Sequence, residues 1–109
     1  MDVTGLPISS EQCSIPFFAC HIHEGGSCEA GFESTMGHLN MEQCPHPAHI
    51  GDLLPLYARE GRASMIYFIE GIDLNLFKGR TLIIHRNHDD FTTQPSGNSG
   101  EKMACGVIE

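Results

Sequence analysis

His21 and His23 lie two residues apart in Cys20-His21-Ile22-His23-Glu24-Gly25-Gly26-Ser27-Cys28. On a β-strand, residues i and i+2 share a face, so the two imidazoles can stand side by side while Ile22 points the other way. One strand can offer a metal ion two ligands in this manner. Downstream, Cys44-Pro45-His46-Pro47-Ala48-His49-Ile50-Gly51-Asp52 spaces two more histidines and a carboxylate by three and three. A compact turn can gather those side chains onto one centre. His38, in Gly37-His38-Leu39-Asn40, would complete three imidazoles and a carboxylate, a tetrahedral zinc set. His85 ends a β-branched run that could lie beside the His21/His23 strand, and imidazole-rich sites suit copper. Taken singly, each motif is ordinary: a His-x-His pair is more often surface decoration, and the His46–Asp52 spacing also fits a Pro-rich surface loop. Together they use six of the seven histidines, and that combination points to metal chemistry.

The elements that must position these residues read as β-strands. Val3-Thr4-Gly5-Leu6-Pro7 is the tail of a strand running into a turn. Ile15 to His23 is apolar and ends in the histidine pair. Gly61 to Ile69 alternates in part and reads as a strand, Arg80 to His85 is a β-branched strand, and Lys102 to Ile108 closes the chain. Leu74 to Phe77 is too short to assign. Between them lie two polar loops, Gly25 to Leu53 and Asp89 to Gly100, rich in turn-forming residues. A loop as long as the first needs a function or a staple inside a compact domain. No helix-period segment exceeds two turns. The expected class is all-β, a small sandwich or barrel, in a single domain spanning 1–109.

Composition narrows the function. Six basic residues face fourteen acidic ones, for a net charge of −8, and the basic residues are scattered. No nucleic-acid groove is expected, and the acidic background would repel an anionic substrate unless a local positive charge offsets it. No stretch has the length and apolarity of a transmembrane helix, so no membrane partner is expected. Met1 to Gly5 lacks the features of a signal peptide, so the chain as written is expected in the cytoplasm, and in the periplasm or outside the cell if its true start lies upstream. Five cysteines leave at least one unpaired. Cys13 and Cys44 could form a disulfide or stay reduced, Cys20 fits a buried small side chain, and Cys28 or Cys105 alone would fit one too.

The segments His21-Ile22-His23-Glu24, Gly37-His38-Leu39-Asn40, His46-Pro47-Ala48-His49-Ile50-Gly51-Asp52-Leu53, Gly79-Arg80-Thr81-Leu82-Ile83-Ile84-His85, Asp89-Asp90 and Asn98-Ser99-Gly100 through Ala104-Cys105-Gly106-Val107-Ile108 occur in the order of a known family. The chain resembles the copper–zinc superoxide dismutases, in their bacterial form with shortened loops, across nearly its whole length. That resemblance implies a Greek-key β-sandwich or flattened barrel, immunoglobulin-like in architecture. It implies one copper and one zinc per subunit, superoxide as substrate, and the homodimer as one form of assembly. His21, His23, His38 and His85 match the copper ligands. His38, His46, His49 and Asp52 match the zinc ligands, so that His38 would bridge the two metals and serve catalysis. Asp89 matches the outer carboxylate joining a histidine of each metal, as metal-bound imidazoles generally require. Cys28 and Cys105 match the intrachain disulfide.

Three positions depart from the family pattern. Lys102 stands where an arginine usually overlooks the copper; it would steer the anion as a point charge but orient it less strictly. Met41 and Leu54 stand where prolines are usual. The chain also begins within the family's third strand, so it is expected to lack the first two of eight strands, with unpaired edges and a smaller core. The resemblance implies catalysed dismutation; the alternative is a metal-binding protein of the same type without significant turnover, its site spoiled by the missing strands.

Overall fold

The computed structural model describes residues 1–109 and contains seven strands: β1 (Asp2–Val3), β2 (Phe17–Phe18), β3 (Cys20–His23), β4 (Leu56–Tyr57), β5 (Ala63–Ser64), β6 (Thr81–His85) and β7 (Lys102–Val107). All pairings are antiparallel, β1 with β5, β2 with β4, and β3 with β6, which also takes β7. The architecture is all-β, as expected. Two short 3-10 segments, Ala30–Thr35 and Leu74–Phe77, sit in the connections. The second is the stretch too short to assign; the Asp73 carboxylate accepts the Asn75 N–H at 2.9 Å and starts the turn.

β4 lies where no strand was expected, β1 overlaps its expected stretch only at Val3, and two further strands differ in extent. The apolar run Ile15 to His23 divides at Ala19. Phe17–Phe18 follows β4, while Cys20–His23 follows β6. The expected strand Gly61 to Ile69 is reduced to β5. It pairs with β1, and beyond that pairing the Met65 N–H donates to the Met1 carbonyl at 2.8 Å. Residues 66–69 have no strand beside them, and Ile66 and Phe68 face solvent. Between β4 and β5, Arg59 and Arg62 exchange backbone hydrogen bonds across Glu60-Gly61. Both of those residues take positive φ, as a two-residue type I′ hairpin requires.

The core is small, with 24 of 109 residues buried. One cluster joins Leu6, Phe18, Cys20, Leu56, Ala58, Ala63 and Ile84; a second joins Ile22, Leu39 and Phe77. Burying an aliphatic side chain such as Leu56 contributes about 1.5–3 kcal/mol. The strand alternation of β3 divides its residues between two tasks. Cys20 and Ile22 enter the clusters, while His21 and His23 face away from them. The long loop after β3 is ordered by its contacts with that strand. Ile22 donates to Gly51 O at 2.8 Å and accepts from Leu39 N at 2.8 Å, so β3 lies between β6 and the loop. A disulfide between Cys28 and Cys105, with Cα atoms 5.7 Å apart, staples the start of this loop to β7. Cys13, Cys20 and Cys44 are free.

Candidate metal centre

The strand register brings four histidines together. His21 and His23 project from one face of β3. His85 ends β6, and its N–H donates to Ala19 O at 2.9 Å. A bridge to His23 places His38 beside them, and another between His21 and Asp52 brings in the end of the loop. Ring centroids are 4.0 Å apart for His21–His38, 4.9 Å for His21–His85, 4.9 Å for His23–His38 and 5.5 Å for His23–His85. One ligand atom from each of His21, His23, His38 and His85 lies within 4.8 Å of the others, and the same holds for His21, His38, His46 and Asp52.

Hydrogen bonding decides which nitrogen of each ring remains available. His21 Nε2 is paired with Asp89 Oδ2 at 2.8 Å, leaving Nδ1. His23 Nδ1 donates to Met36 O at 2.8 Å and His85 Nδ1 to Gly100 O at 3.2 Å, leaving both Nε2 atoms, which are 3.4 Å apart. His38 Nδ1 lies 2.8 Å from Asp52 Oδ1, leaving Nε2. His21 Nδ1 and His38 Nε2 are buried and have no partner in the protein. Orphaned buried nitrogens are costly, and a cation between them and the two Nε2 atoms would satisfy all four. That donor set is the all-imidazole one that suits copper.

The second group is built on Asp52. Its carboxylate meets Nδ1 of His38 (2.8 Å), His46 (3.0 Å) and His49 (3.1 Å), and His49 Nδ1 is 3.3 Å from His38 Nδ1. Three imidazole nitrogens converging on one carboxylate is a zinc donor set. By mutual distance His21 could stand in for His49, but one His21 nitrogen is taken by Asp89, whereas His49 Nδ1 lies 3.1 Å from Asp52 and is the better fourth member. Asp89 links the groups: Oδ2 holds His21 and Oδ1 holds His46 Nε2 at 2.8 Å.

The electrostatics follow from burial. It pushes His21 down to about 4, His23 to about 3 and His85 to about 4, with repulsion from neighbouring imidazoles in the same direction. Rings that stay neutral offer lone pairs to a metal. Burial acts to raise Asp52 and Asp89, but imidazole hydrogen bonds, attraction to nearby imidazoles and backbone N–H donors together outweigh it and hold both below the usual carboxylate range. Lys102, lowered by burial, lines a cleft of about 610 Å³ with His23, His38, His49 and His85. Its ammonium meets Thr35 Oγ1 at 2.7 Å, Met36 O at 2.9 Å and Phe32 O at 3.5 Å. His88 is exposed and lines another cleft, beside Cys13.

Some contributors were not legible in the sequence. The Met36 and Gly100 carbonyls orient two rings, and a carbonyl leaves no mark on residue type. Gly97 looked like an ordinary turn residue. A Cβ there would collide with the Asp89 carboxylate and lie 2.7 Å from His46 Nε2, and its φ of +72° favours glycine independently.

Residues 4–108 match the family described as copper/zinc superoxide dismutase (SODC). The chain belongs to that family. It is 32% identical over 124 residues to superoxide dismutase [Cu-Zn] 2 of Aquifex aeolicus, an alignment covering 99% of this chain and 69% of the relative. It is 36% identical over 104 residues to the superoxide dismutase-like protein YojM of Bacillus subtilis, covering 81% of this chain and 55% of the relative. Among solved structures, a SOD-like protein from Bacillus subtilis superposes with a TM-score of 0.82 at 29% identity, covering 99% of this chain and 78% of that one. The clock protein EA4 superposes with a TM-score of 0.80 at 30% identity, covering 97% and 73%.

Proposed function

We propose that this chain binds one copper and one zinc and dismutates superoxide, two superoxide anions and two protons giving oxygen and hydrogen peroxide. The observation that carries the reading is the division of imidazole nitrogens. His21 Nδ1, His23 Nε2, His38 Nε2 and His85 Nε2 are left for copper. His38, His46 and His49 turn Nδ1 toward Asp52 and would hold zinc with it. Copper would supply the one-electron chemistry, accepting an electron from one superoxide and giving it to the next.

The chain's own residues supply the rest. His38 has one nitrogen for each group and lines the cleft, so Nε2 is the atom at which a proton can be held and passed to the reduced oxygen. Asp52 fixes the opposite nitrogen and with it the ring plane. Asp89 keeps His21 and His46 in fixed tautomers. Lys102 places a positive charge at the mouth of a chain whose net charge is −8 and draws the anion in.

A second reading, metal binding without significant turnover, has one observation in its favour. The protons of Lys102 point at protein acceptors, so the ammonium offers the anion charge but no free donor. One experiment separates the two. The chain loaded with both metals should consume superoxide catalytically. Stoichiometric Cu(II) binding with decay no faster than in buffer would leave only the second reading. Under either, His38→Ala should weaken both metals; unchanged copper and zinc affinity would remove the bridging role.

A further inference from the structure

Gln94 grips the backbone of a single residue across 48 positions of sequence. The His46 N–H donates to Gln94 Oε1 at 2.9 Å, and Gln94 Nε2 donates to the His46 carbonyl at 2.7 Å. Neither backbone group of His46 has a backbone partner. The amide therefore does for His46 what a neighbouring strand does for a strand residue, satisfying donor and acceptor together and fixing the peptide on both sides. The same Nε2 lies 3.2 Å from Thr92 O, which holds the amide at its own end. The ring of His46 is held independently, Nδ1 by Asp52 and Nε2 by Asp89. Gln94 and Asp89 belong to one loop. That loop thus takes His46 by its main chain and by its ring.

From this geometry we infer that Gln94 is a positioning residue for the zinc group: by fixing the His46 backbone, its amide aims His46 Nδ1 at the point where His38, His49 and Asp52 converge. The inference rests on the proposed zinc role of those four residues. Exposure separates positioning from packing here. Gln94 is exposed whereas His46 is buried, so replacing Gln94 opens no cavity in the core and removes only the two-point grip and the bond to Thr92 O.

The test compares wild type with Gln94→Met, which keeps the length and loses both bonds, and Gln94→Glu, which keeps the acceptor for the His46 N–H and loses the donor to its carbonyl. Zinc affinity is measured by competition with a chelator, ligand geometry from the visible spectrum of Co(II) in the zinc group, and stability from thermal unfolding of the metal-free forms. Gln94→Met should bind zinc about 10- to 100-fold more weakly, the usual effect of losing an outer partner of a ligand. Its Co(II) bands should shift, and Gln94→Glu should fall between it and wild type. A Gln94→Met protein within twofold of wild-type zinc affinity and with an unchanged Co(II) spectrum overturns the inference, whether or not its metal-free form melts lower. If Gln94→Met does not fold, Gln94→Glu decides by the same twofold criterion. Failure of the wild-type chain itself to bind zinc overturns both the zinc reading and the role of Gln94; wild-type binding with indifferent variants overturns only the latter.

Discussion

Asp89 holds His21 by Nε2 at 2.8 Å, with both side chains almost completely enclosed, and this contact leaves Nδ1 as the only nitrogen of His21 free for a metal. The other oxygen of Asp89 does the same for His46. A carboxylate accepts at both oxygens, whereas an asparagine offers one acceptor and one donor. In Asp89→Asn, one of the two rings must therefore face an N–H with its own N–H or reverse its tautomer. Asp89→Asn and Asp89→Ala should each weaken copper and zinc by about 10- to 100-fold, since one outer partner serves a ligand of each. Isothermal titration with each metal checks this. Loss confined to one metal would show that Asp89 serves only one ring.

Acid should unfold the metal-free protein early. His21, His23 and His85 are held near 4, 3 and 4 in the folded chain against an ordinary value of about 6.5 in the unfolded one. Above pH 6.5 these rings are neutral in both states and contribute no pH dependence. Below it the unfolded chain takes up protons that the folded chain refuses, so stability falls as pH drops from 6.5 toward 4. The slope is at most about 1.4 kcal/mol per pH unit for each ring, and less together because the charged rings repel. Asp52 and Asp89 act lower. Their folded values are depressed, so their stabilisation is complete above the ordinary carboxylate value and is lost as pH falls through the folded one. The unfolding midpoint of metal-free protein should decline steadily from pH 6.5 to 4. A midpoint unchanged between pH 7 and 5 would contradict neutral buried imidazoles.

Lys102 should act through charge. Burial leads in lowering His23 and His85, and the positive charge of Lys102 adds to it, so its field reaches the rings. Lys102→Gln removes that field in an acidic chain. In the metal-loaded protein kcat/KM for superoxide should fall about tenfold and lose most of its salt dependence, because steering is screened by ions. Lys102→Arg should keep the salt dependence. Stopped-flow decay at several ionic strengths measures both, and a Lys102→Gln protein with wild-type salt dependence would assign the steering elsewhere.

The histidines and the carboxylate that converge were legible because metal chemistry restricts residue type and strand periodicity restricts spacing. His21 and His23 had to share a face once their segment was a strand, and the loop histidines carried their own three-and-three spacing. Strand length was less legible. Met65 to Ile69 has the composition of a strand, but a strand requires a neighbour, and composition does not say whether one is there. The orienting groups were least legible of all. Met36 and Gly100 act through carbonyls, Thr35 through a hydroxyl that meets Lys102, and Gln94 through an amide 48 residues from its target. Such roles belong to relative placement, which side-chain chemistry alone does not determine.

The disulfide and Lys102 tie the same two elements, and this makes reduction informative. Cys105 lies in β7, which begins at Lys102, and Cys28 precedes the segment that supplies Phe32, Thr35 and Met36 to the Lys102 ammonium. Closing 77 residues of chain is worth about 4.5 kcal/mol in the chain-entropy account, whereas the Lys102 contacts alone are ordinary charge-assisted hydrogen bonds of about 1.5–3 kcal/mol. Reduction should lower stability in denaturant by about 2–4 kcal/mol, and activity of the metal-loaded protein should fall with it as the Met36 carbonyl, which also orients His23, loosens. Thiol labelling provides the internal control. Cys13 is exposed and should react in either redox state, while Cys20 is buried with its thiol pushed up to about 12 and should react only on unfolding. Mass spectrometry should find Cys28 and Cys105 becoming reactive together on reduction, with Cys20 still protected. Labelling of Cys20 at the same rate would show that reduction unfolds the core rather than freeing the loop, and an unchanged denaturation midpoint would show that the loop is held without the staple.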